Sequence, residues 1–162
     1  MLLKSINRNK IDQLINRYYF SRFSKKNLKL SVSNKVSLID HYIWWFSNKR
    51  KFQVYEFSNK KLIFFWYEKK KVFKNVFWTC GFHVDEGSNL NEIILSYRLF
   101  IRFLKKKGNL PILGIISKKN IFLKKLNKDL GFNEILNKKN DYFSIKSVYK
   151  IKNEKKFIFV KL

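Results

Sequence analysis

The sequence is poor in several residues that common folds and functional sites depend on. It has one cysteine, one proline, five glycines and no alanine in 162 residues. Cys80 has no second cysteine to pair with, so an intramolecular disulfide is excluded and a reducing, cytoplasmic compartment is expected. Its apolar neighbours favour a small buried hydrophobe over a thiol nucleophile. With one cysteine and two distant histidines, no zinc-ligand spacing can be assembled, and we expect no metal site.

Long apolar segments are lacking as well. The longest uninterrupted apolar run covers residues 62–67, whereas a membrane-spanning helix needs about 20 residues. We therefore expect no membrane span. Residues 1–10 carry charges where a signal peptide needs its apolar stretch, which predicts that there is no export signal.

Acidic residues are few. The chain has 11 Asp and Glu against 36 Lys and Arg, a net charge of +25. Such an excess is typical of proteins that bind nucleic acid or another polyanion. However, the favoured residues Lys, Asn, Ile and Phe have A/T-rich codons, so a biased genome would supply much of the basicity without selection for binding. The lysines also lie in short groups at the ends of apolar segments, as on a solvated surface. Charge alone therefore decides neither interpretation.

What the sequence does contain is enough apolar surface for a core. Apolar residues make up 46% and aromatic residues 18%, which predicts one domain over residues 1–162. Apolar spacing predicts helices at 11–19, 37–47, 90–107 and 120–130. β-rich runs predict strands at 52–57, 62–67, 76–84, 111–117, 142–145 and 157–160. This order combines a hairpin with a parallel crossover, so we predict an α/β (α+β) fold with helices on both faces of a mixed central sheet.

The strand-turn-helix run over residues 76–107 is the predicted ligand-binding centre. A helix start has up to four unpaired N–H groups and a positive dipole end, which attract phosphate oxygens. Ser88 and Asn89 are good N-cap residue types, and Gly87 permits close backbone approach. Asp85 and Glu86 add negative charge, which opposes anion binding unless it is neutralised or points away.

Two segments resemble the GNAT superfamily of N-acyltransferases. NIFLKKLNKDLGF, residues 120–132, begins with Asn after a strand and ends in Gly-Phe at the family's spacing. VSLIDHYIWWF, residues 36–46, is similar to the His-x-x-Trp helix of the branch that acetylates amino sugars and ribosomal protein N-termini. His41 and Trp44 take those two places. In element order the resemblance runs from about residue 11 to 132, and it implies a GNAT-like fold.

The resemblance also implies an activity and a site. The family transfers an acyl group from acetyl-CoA to an amine and holds the pyrophosphate on backbone N–H groups between a strand and a helix. His41 and Trp44 are then candidate substrate-binding residues, and an amino sugar is the favoured acceptor. The candidate cofactor-binding residues are Val84, Gly87, Ser88, Asn89, Leu90 and Asn120. The family loop reads Q/R-x-x-G-x-G/A, and here Val84 and Asn89 replace its first and last members.

The catalytic positions depart further from the family. Asn127 stands where many members have a Tyr that protonates the departing thiolate, and an amide cannot donate that proton. Tyr142 is a weaker candidate acid. His83 and Glu86 are the candidate bases, and His has the better unperturbed pKa. For His83 a hydrogen-bonded structural role competes with catalysis, and for His41 packing competes with a pocket position.

Three functions follow. The first is a GNAT-type N-acetyltransferase that uses acetyl-CoA as co-substrate. The second is a non-catalytic domain of the same fold, indicated by Asn89 and Asn127. The third is an RNA-binding or ribosome-associated protein, indicated by the charge and by 29 aromatic residues that could stack on bases. A gap between strands 76–84 and 111–117 is expected if acyl-CoA binds.

Overall fold

A computed structural model describes residues 4–5, 10–30, 35–136, 140–151 and 153–162. The helices are α1 (Ile15–Arg22), α2 (Lys25–Leu30), α3 (Leu38–Ser47), α4 (Leu90–Lys107), α5 (Ile121–Asp129) and α6 (Asn140–Tyr149). The strands are β1 (Lys4–Ser5), β2 (Lys51–Glu56), β3 (Leu62–Val72), β4 (Asn75–Val84), β5 (Ile112–Ser117), β6 (Asn133–Glu134) and β7 (Phe157–Lys161). Short 3-10 turns lie at Asp12–Leu14 and Glu154–Lys156.

The strands form a mixed sheet with the order β1-β2-β3-β4-β5-β7-β6. β1, β2 and β3 pair antiparallel, as do β5, β7 and β6. β4 and β5 pair parallel, joined by the crossover helix α4. Both the hairpin and the crossover predicted from the sequence are therefore present, and the mixed α/β fold class is confirmed.

The contacts within the chain divide it into two compact units. The first comprises Met1–Tyr67 and Gly81–Ile101, and the second Glu68–Cys80 and Arg102–Leu162. β3, β4 and α4 each contribute residues to both units. A single domain over residues 1–162 stays a prediction.

The first unit has helices on opposite faces of its strands. Alternation along β3 sends Phe64 and Phe65 to opposite sides. Phe64 belongs to a core cluster with Ile15 of α1 and Trp45 of α3. Phe65 stacks on Phe100 of α4, with the ring centroids 4.4 Å apart. Helices on both faces were predicted, and this unit confirms them.

The second unit packs α6 against β4, β5 and β7. Phe77, Leu113 and Phe159 supply the strand side of this core, and Tyr142 and Ile145 supply the helix side. All five side chains are buried.

The predicted strand at residues 142–145 is wrong, because this segment lies inside α6. Tyr142 and Ile145 are buried whereas Phe143 is 51% exposed. Tyr149 adds a half-buried position one turn later, which continues the i, i+3, i+7 spacing of a helix. Asp141 lies in the first turn, where the positive end of the helix dipole stabilises its negative charge. Four β-rich residues are too few to separate period 2 from period 3.6.

Three short elements lay outside the predictions. α2 falls in a stretch that is predominantly polar, and β1 and β6 have two residues each. Segments this short carry too few apolar positions to show a period.

Two features are absent from the described part of the chain. No helix there is both long enough and apolar enough to cross a membrane. Those residues also contain no group of three or more His, Cys, Asp or Glu side chains that could hold a metal ion.

Candidate functional site

The turn between β4 and α4 depends on Gly87. Its φ is 76°, in the left-handed region that side chains disfavour. A Cβ built on Gly87 would meet no atom within 4 Å. Glycine is therefore required here by backbone conformation, and open space lies beside the turn.

The start of α4 presents unpaired backbone donors. Asn89 caps the helix, since its Oδ1 accepts from the Asn91 N–H at 2.8 Å and its carbonyl accepts from Ile93 at 3.1 Å. Within the residues that the structure describes, the N–H groups of Asn89, Leu90 and Glu92 have no acceptor. Such donors, together with the helix dipole, suit phosphate oxygens.

Asp85 does not oppose anion binding in the way its position in the sequence suggests. Arg17 of α1 donates from Nε and Nη2 to Asp85 Oδ2 at 2.9 and 2.7 Å. The Leu62 N–H donates to the same oxygen at 3.0 Å. The carboxylate is thus neutralised and bound at the start of β3, while Glu86 is exposed on the turn.

His83, a candidate base, lies near the end of β4 against Tyr18 of α1, with ring centroids 5.4 Å apart. Burial, together with the positive charges of Arg22 and Arg50, lowers its pKa to about 3. The imidazole is therefore neutral at pH 7 and free to accept a proton, but it holds a proton weakly.

His41 and Trp44, the candidate substrate-binding residues, lie together on α3. His41 is fully buried and stacks on Trp44 and Tyr18, at centroid distances of 5.4 and 5.6 Å. Burial and the Arg22 charge lower its pKa to about 4, a shift that the Ile15 backbone partly offsets. Neither ring nitrogen has a well-formed hydrogen bond among the described residues. His41 is therefore a neutral core residue, whereas Trp44 is only half-buried.

In the second unit, the pairing of β4 with β5 is short. The ladder consists of Trp78 with Ile112 and Thr79 with Leu113. β5 continues to Ser117, and in the described part of the chain these further residues pair with β7 alone. The edge of β5 that faces β4 thus loses its partner strand after Leu113.

The remaining candidates also lie in the second unit. Asn120 caps α5 by accepting the Leu123 N–H at 3.0 Å. Asn127 is buried, and its amide donates to the Leu123 carbonyl at 3.1 Å. The Tyr142 hydroxyl donates to Glu154, and this hydrogen bond, together with burial, raises the pKa of Tyr142. Both Asn120 and Tyr142 therefore have structural partners.

No protein-family model matches the chain, and no curated protein sequence matches it. Solved structures do match, over nearly the whole chain. A domain from Methanocaldococcus jannaschii DSM 2661 aligns with a TM-score of 0.66 at 17% identity, covering 99% of this chain and 96% of that one.

Two further matches carry names that describe an activity. The ribosomal-protein-alanine N-acetyltransferase from Brucella melitensis aligns with a TM-score of 0.63 at 11% identity, covering 100% of this chain and 99% of that one. FdhC, a nucleotide-linked sugar GNAT, aligns with a TM-score of 0.62 at 9% identity, covering 99% and 84%. The chain has the GNAT N-acetyltransferase fold.

Within this GNAT fold, the first unit holds most of the predicted site. His41, Trp44, His83 and the turn at residues 84–90 all belong to it. Asn120 and Tyr142 belong to the second unit. Cys80 is half-buried, and burial raises its thiol pKa to about 12, so the thiol stays protonated.

Sequence reasoning missed two arginines on the GNAT fold. Arg22 lies over the Trp44 ring at 5.0 Å, and Arg50 lies over the Trp44 and Trp66 rings at 5.4 and 3.9 Å. Arginine is rare in this chain, with six against 30 lysines. A lysine cannot replace a guanidinium that stacks on an aromatic ring. The few arginines of a lysine-rich chain were therefore the sequence feature that could have indicated these two positions.

The described residues also form a surface cleft of about 430 Å³. It belongs to the second unit and is lined by Gly131, Asn133, Glu134, Ile135, Asp141, Lys161 and Leu162. None of the predicted site residues lines it.

Proposed function

We propose that the chain is an N-acetyltransferase that transfers the acetyl group of acetyl-CoA to the amine of a small acceptor. The observation that carries this proposal is the combination of the GNAT fold with unpaired N–H donors at the start of α4. An amino sugar is one acceptor of this kind.

Acetyl-CoA fits the residues at the turn. The N–H groups of Asn89, Leu90 and Glu92 would donate to its pyrophosphate, and Gly87 leaves open space beside them. Asp85 does not compete, because Arg17 holds its carboxylate. The Asn89 side chain, where the family has glycine, is occupied in capping the helix.

The transfer forms a bond between the amine nitrogen and the acetyl carbon and breaks the bond from that carbon to sulfur. The amine gives up a proton, and the leaving thiolate takes one. We propose His83 or Glu86 as the group that accepts the amine proton. Asn127 cannot supply the thiolate proton, so this proton comes from solvent or from a tyrosine such as Tyr142.

A non-catalytic domain of the same fold is the second candidate. It is favoured by Asn127, whose amide is used inside α5, and by the low pKa of His83. Such a domain would bind acetyl-CoA without turning it over.

Titration calorimetry with acetyl-CoA, followed by a thiol assay for released CoA with a panel of amines, tests these candidates. Saturable binding and amine-dependent release support the acetyltransferase. Binding without release for every amine favours the non-catalytic domain. Absence of binding at millimolar acetyl-CoA overturns both. The cytoplasmic location remains a prediction.

A further inference from the structure

Two guanidinium groups lie against one indole ring in the first unit. Arg22 is the last residue of α1, Arg50 directly precedes β2, and both lie over Trp44 within 5.4 Å of its centroid. Arg50 also lies 3.9 Å from the Trp66 centroid. The pKa of Arg22 is lowered, first by burial, with the Arg50 charge adding to the effect. The two like charges therefore act on each other in a partly desolvated place.

The charge of Arg50 has no counter-ion in the described part of the chain. None of the ion pairs found there involves Arg50. Buried or half-buried cations are ordinarily paired, because desolvation penalises an isolated charge. An acidic group from outside the chain would supply what is missing.

A buried donor lies beside the same charges. Tyr18 is 0% exposed, and its hydroxyl has no hydrogen-bond partner among the described residues. Burial raises its pKa to about 12, while the Arg22 and Arg50 charges oppose that rise. The Tyr18 ring stacks on Trp44, the ring that both arginines lie over, with the centroids 6.2 Å apart. An unpaired buried hydroxyl is rare in proteins and points to an absent partner.

We propose that Arg50, Arg22 and the Tyr18 hydroxyl bind an oxyanion, the phosphate or carboxylate group of an acidic acceptor, between the walls formed by Trp44 and Trp66. This substrate class rests on the proposed acetyl transfer. A guanidinium presents N–H donors in a planar fork that matches either oxyanion, and the indole rings hold the fork in place. His83 lies against Tyr18, so the acceptor's anionic end is bound next to a candidate base.

Arginine also stacks on tryptophan where it only packs and binds no ligand. A variant of Tyr18 distinguishes a packing cluster from an anion-binding site. In Tyr18→Phe the aromatic contacts stay and an unsatisfied hydroxyl is lost. If the cluster is only packing, this variant keeps both its stability and its weak response to anions. If the cluster is a site, stability is kept and anion affinity falls.

The binding test uses the full chain and the fluorescence of its tryptophans. Inorganic phosphate and succinate are titrated separately at constant ionic strength. Saturable quenching is expected, and Arg50→Gln and Arg50→Lys each weaken it about tenfold or more, the range of a lost charge-assisted hydrogen bond. Tyr18→Phe weakens it a few-fold with an unchanged Tm.

Arg98→Gln is the matched control. Arg98 is exposed on α4 in the same unit, so its loss changes the net charge equally. Its anion affinity stays within about twofold of wild type, because exposed charges are screened by salt. Equal weakening by Arg98→Gln and Arg50→Gln, or an unchanged affinity in Arg50→Gln and Tyr18→Phe, overturns the proposal.

A second measurement separates the two oxyanions and separates this site from the acetyl transfer. Acetylation rates are compared for glucosamine 6-phosphate against glucosamine, and for 4-aminobutyrate against butylamine. The proposal expects a higher kcat/KM for at least one acidic member, lost in Arg50→Gln; which pair responds identifies phosphate or carboxylate. If kcat/KM depends neither on the acceptor's charge nor on Arg50, the oxyanion site is overturned and the proposed acetyl transfer is upheld. Arg50-dependent anion binding without any acetylation upholds the site and overturns the transferase.

Discussion

At the scale of single residues, both histidines are held neutral by their surroundings. Burial is the main cause of the lowered pKa in each, and Arg22 contributes to both. Neutral His41 packs within the aromatic cluster of α1 and α3, while neutral His83 lies at the end of β4. A neutral imidazole suits the role of His83 as a candidate proton acceptor. The lowered pKa values of both histidines also make the stability of the fold depend on pH.

Stability should fall as the pH drops below 6.5. The folded pKa values, about 4 for His41 and about 3 for His83, lie below the ordinary value of 6.5. Between these limits the unfolded chain binds more protons, so acid favours unfolding, by about 1–2 kcal/mol per histidine at pH 5. Urea unfolding at pH 7.5 and 5.0 measures the loss. His41→Phe should remove roughly half of it, and equal wild-type stability at the two pH values would contradict the assignment.

Gly87 can be tested in the same way. Gly87→Ala places a side chain at a φ of 76° and should cost about 1–2 kcal/mol of unfolding free energy. It should also weaken acetyl-CoA binding, because the turn must move. Gly108→Ala is the control, since the nearest atom to its added Cβ is 4.0 Å away and its φ is not positive. Equal losses in both variants, measured by urea unfolding and calorimetry, would rule out a special role for the turn.

At the scale of elements, the helix N-termini matter most for the proposed function, because they combine side-chain caps with unpaired backbone N–H groups. Ser37 caps α3 by accepting the Asp40 N–H at 3.1 Å. Asn89 and Asn120 cap α4 and α5. The caps satisfy some donors and leave others open, and at α4 the open ones lie beside Gly87. The element that binds phosphate in the proposal is therefore built from backbone, which tolerates much change in side chains.

Arg17 should matter to acetyl-CoA although it lies on another helix. In Arg17→Ala the Asp85 carboxylate loses its counter-ion next to the start of α4. We expect about a fivefold loss of acetyl-CoA affinity, equivalent to about 1 kcal/mol of partly screened repulsion. The double variant Arg17→Ala with Asp85→Asn should recover most of it. Lys60→Ala, which breaks an exposed pair with Glu56, should leave the affinity unchanged.

Element prediction succeeded where the apolar period was long. The 18 residues of α4 have the predicted bounds, since several turns repeat one face. The wrong strand at residues 142–145 was predicted from only four residues. Their β-rich composition decided the prediction, because four positions are too few to show a helical period. The His-x-x-Trp segment was correctly placed on a helix, but the depth of His41 depended on how α1 and α3 pack.

At the scale of the whole molecule, the net charge of +25 stands out. The ion pairs of the described residues engage few of the cations, so most positive charges face solvent and repel one another. This holds whether the charge comes from codon bias or from a role in binding.

Added salt should therefore stabilise the fold. Raising NaCl from about 0.05 to 0.5 M shortens the Debye length from well above 10 Å to below it, and Tm should rise by a few degrees Celsius. Thermal unfolding followed by circular dichroism measures this, with chloride rather than sulfate so that the oxyanion site stays unused. A fall in Tm would show that attractive ion pairs outweigh the repulsion.

The sequence by itself determined the order of helices and strands, the mixed sheet and the turn at Gly87, because these follow from local periods, caps and backbone preference. Tertiary structure alone decided what surrounds each charge. Arg17 neutralises Asp85 from 68 positions away. Arg22 and Arg50 meet at Trp44, and Arg50 also lies over Trp66, although these four residues come from four different elements or loops. The solvation and the neutralisation of a charge depend on its neighbours in space. Only the folded chain therefore shows that Asp85 is neutralised at the predicted anion-binding turn, and only the folded chain brings together the residues of the proposed oxyanion site.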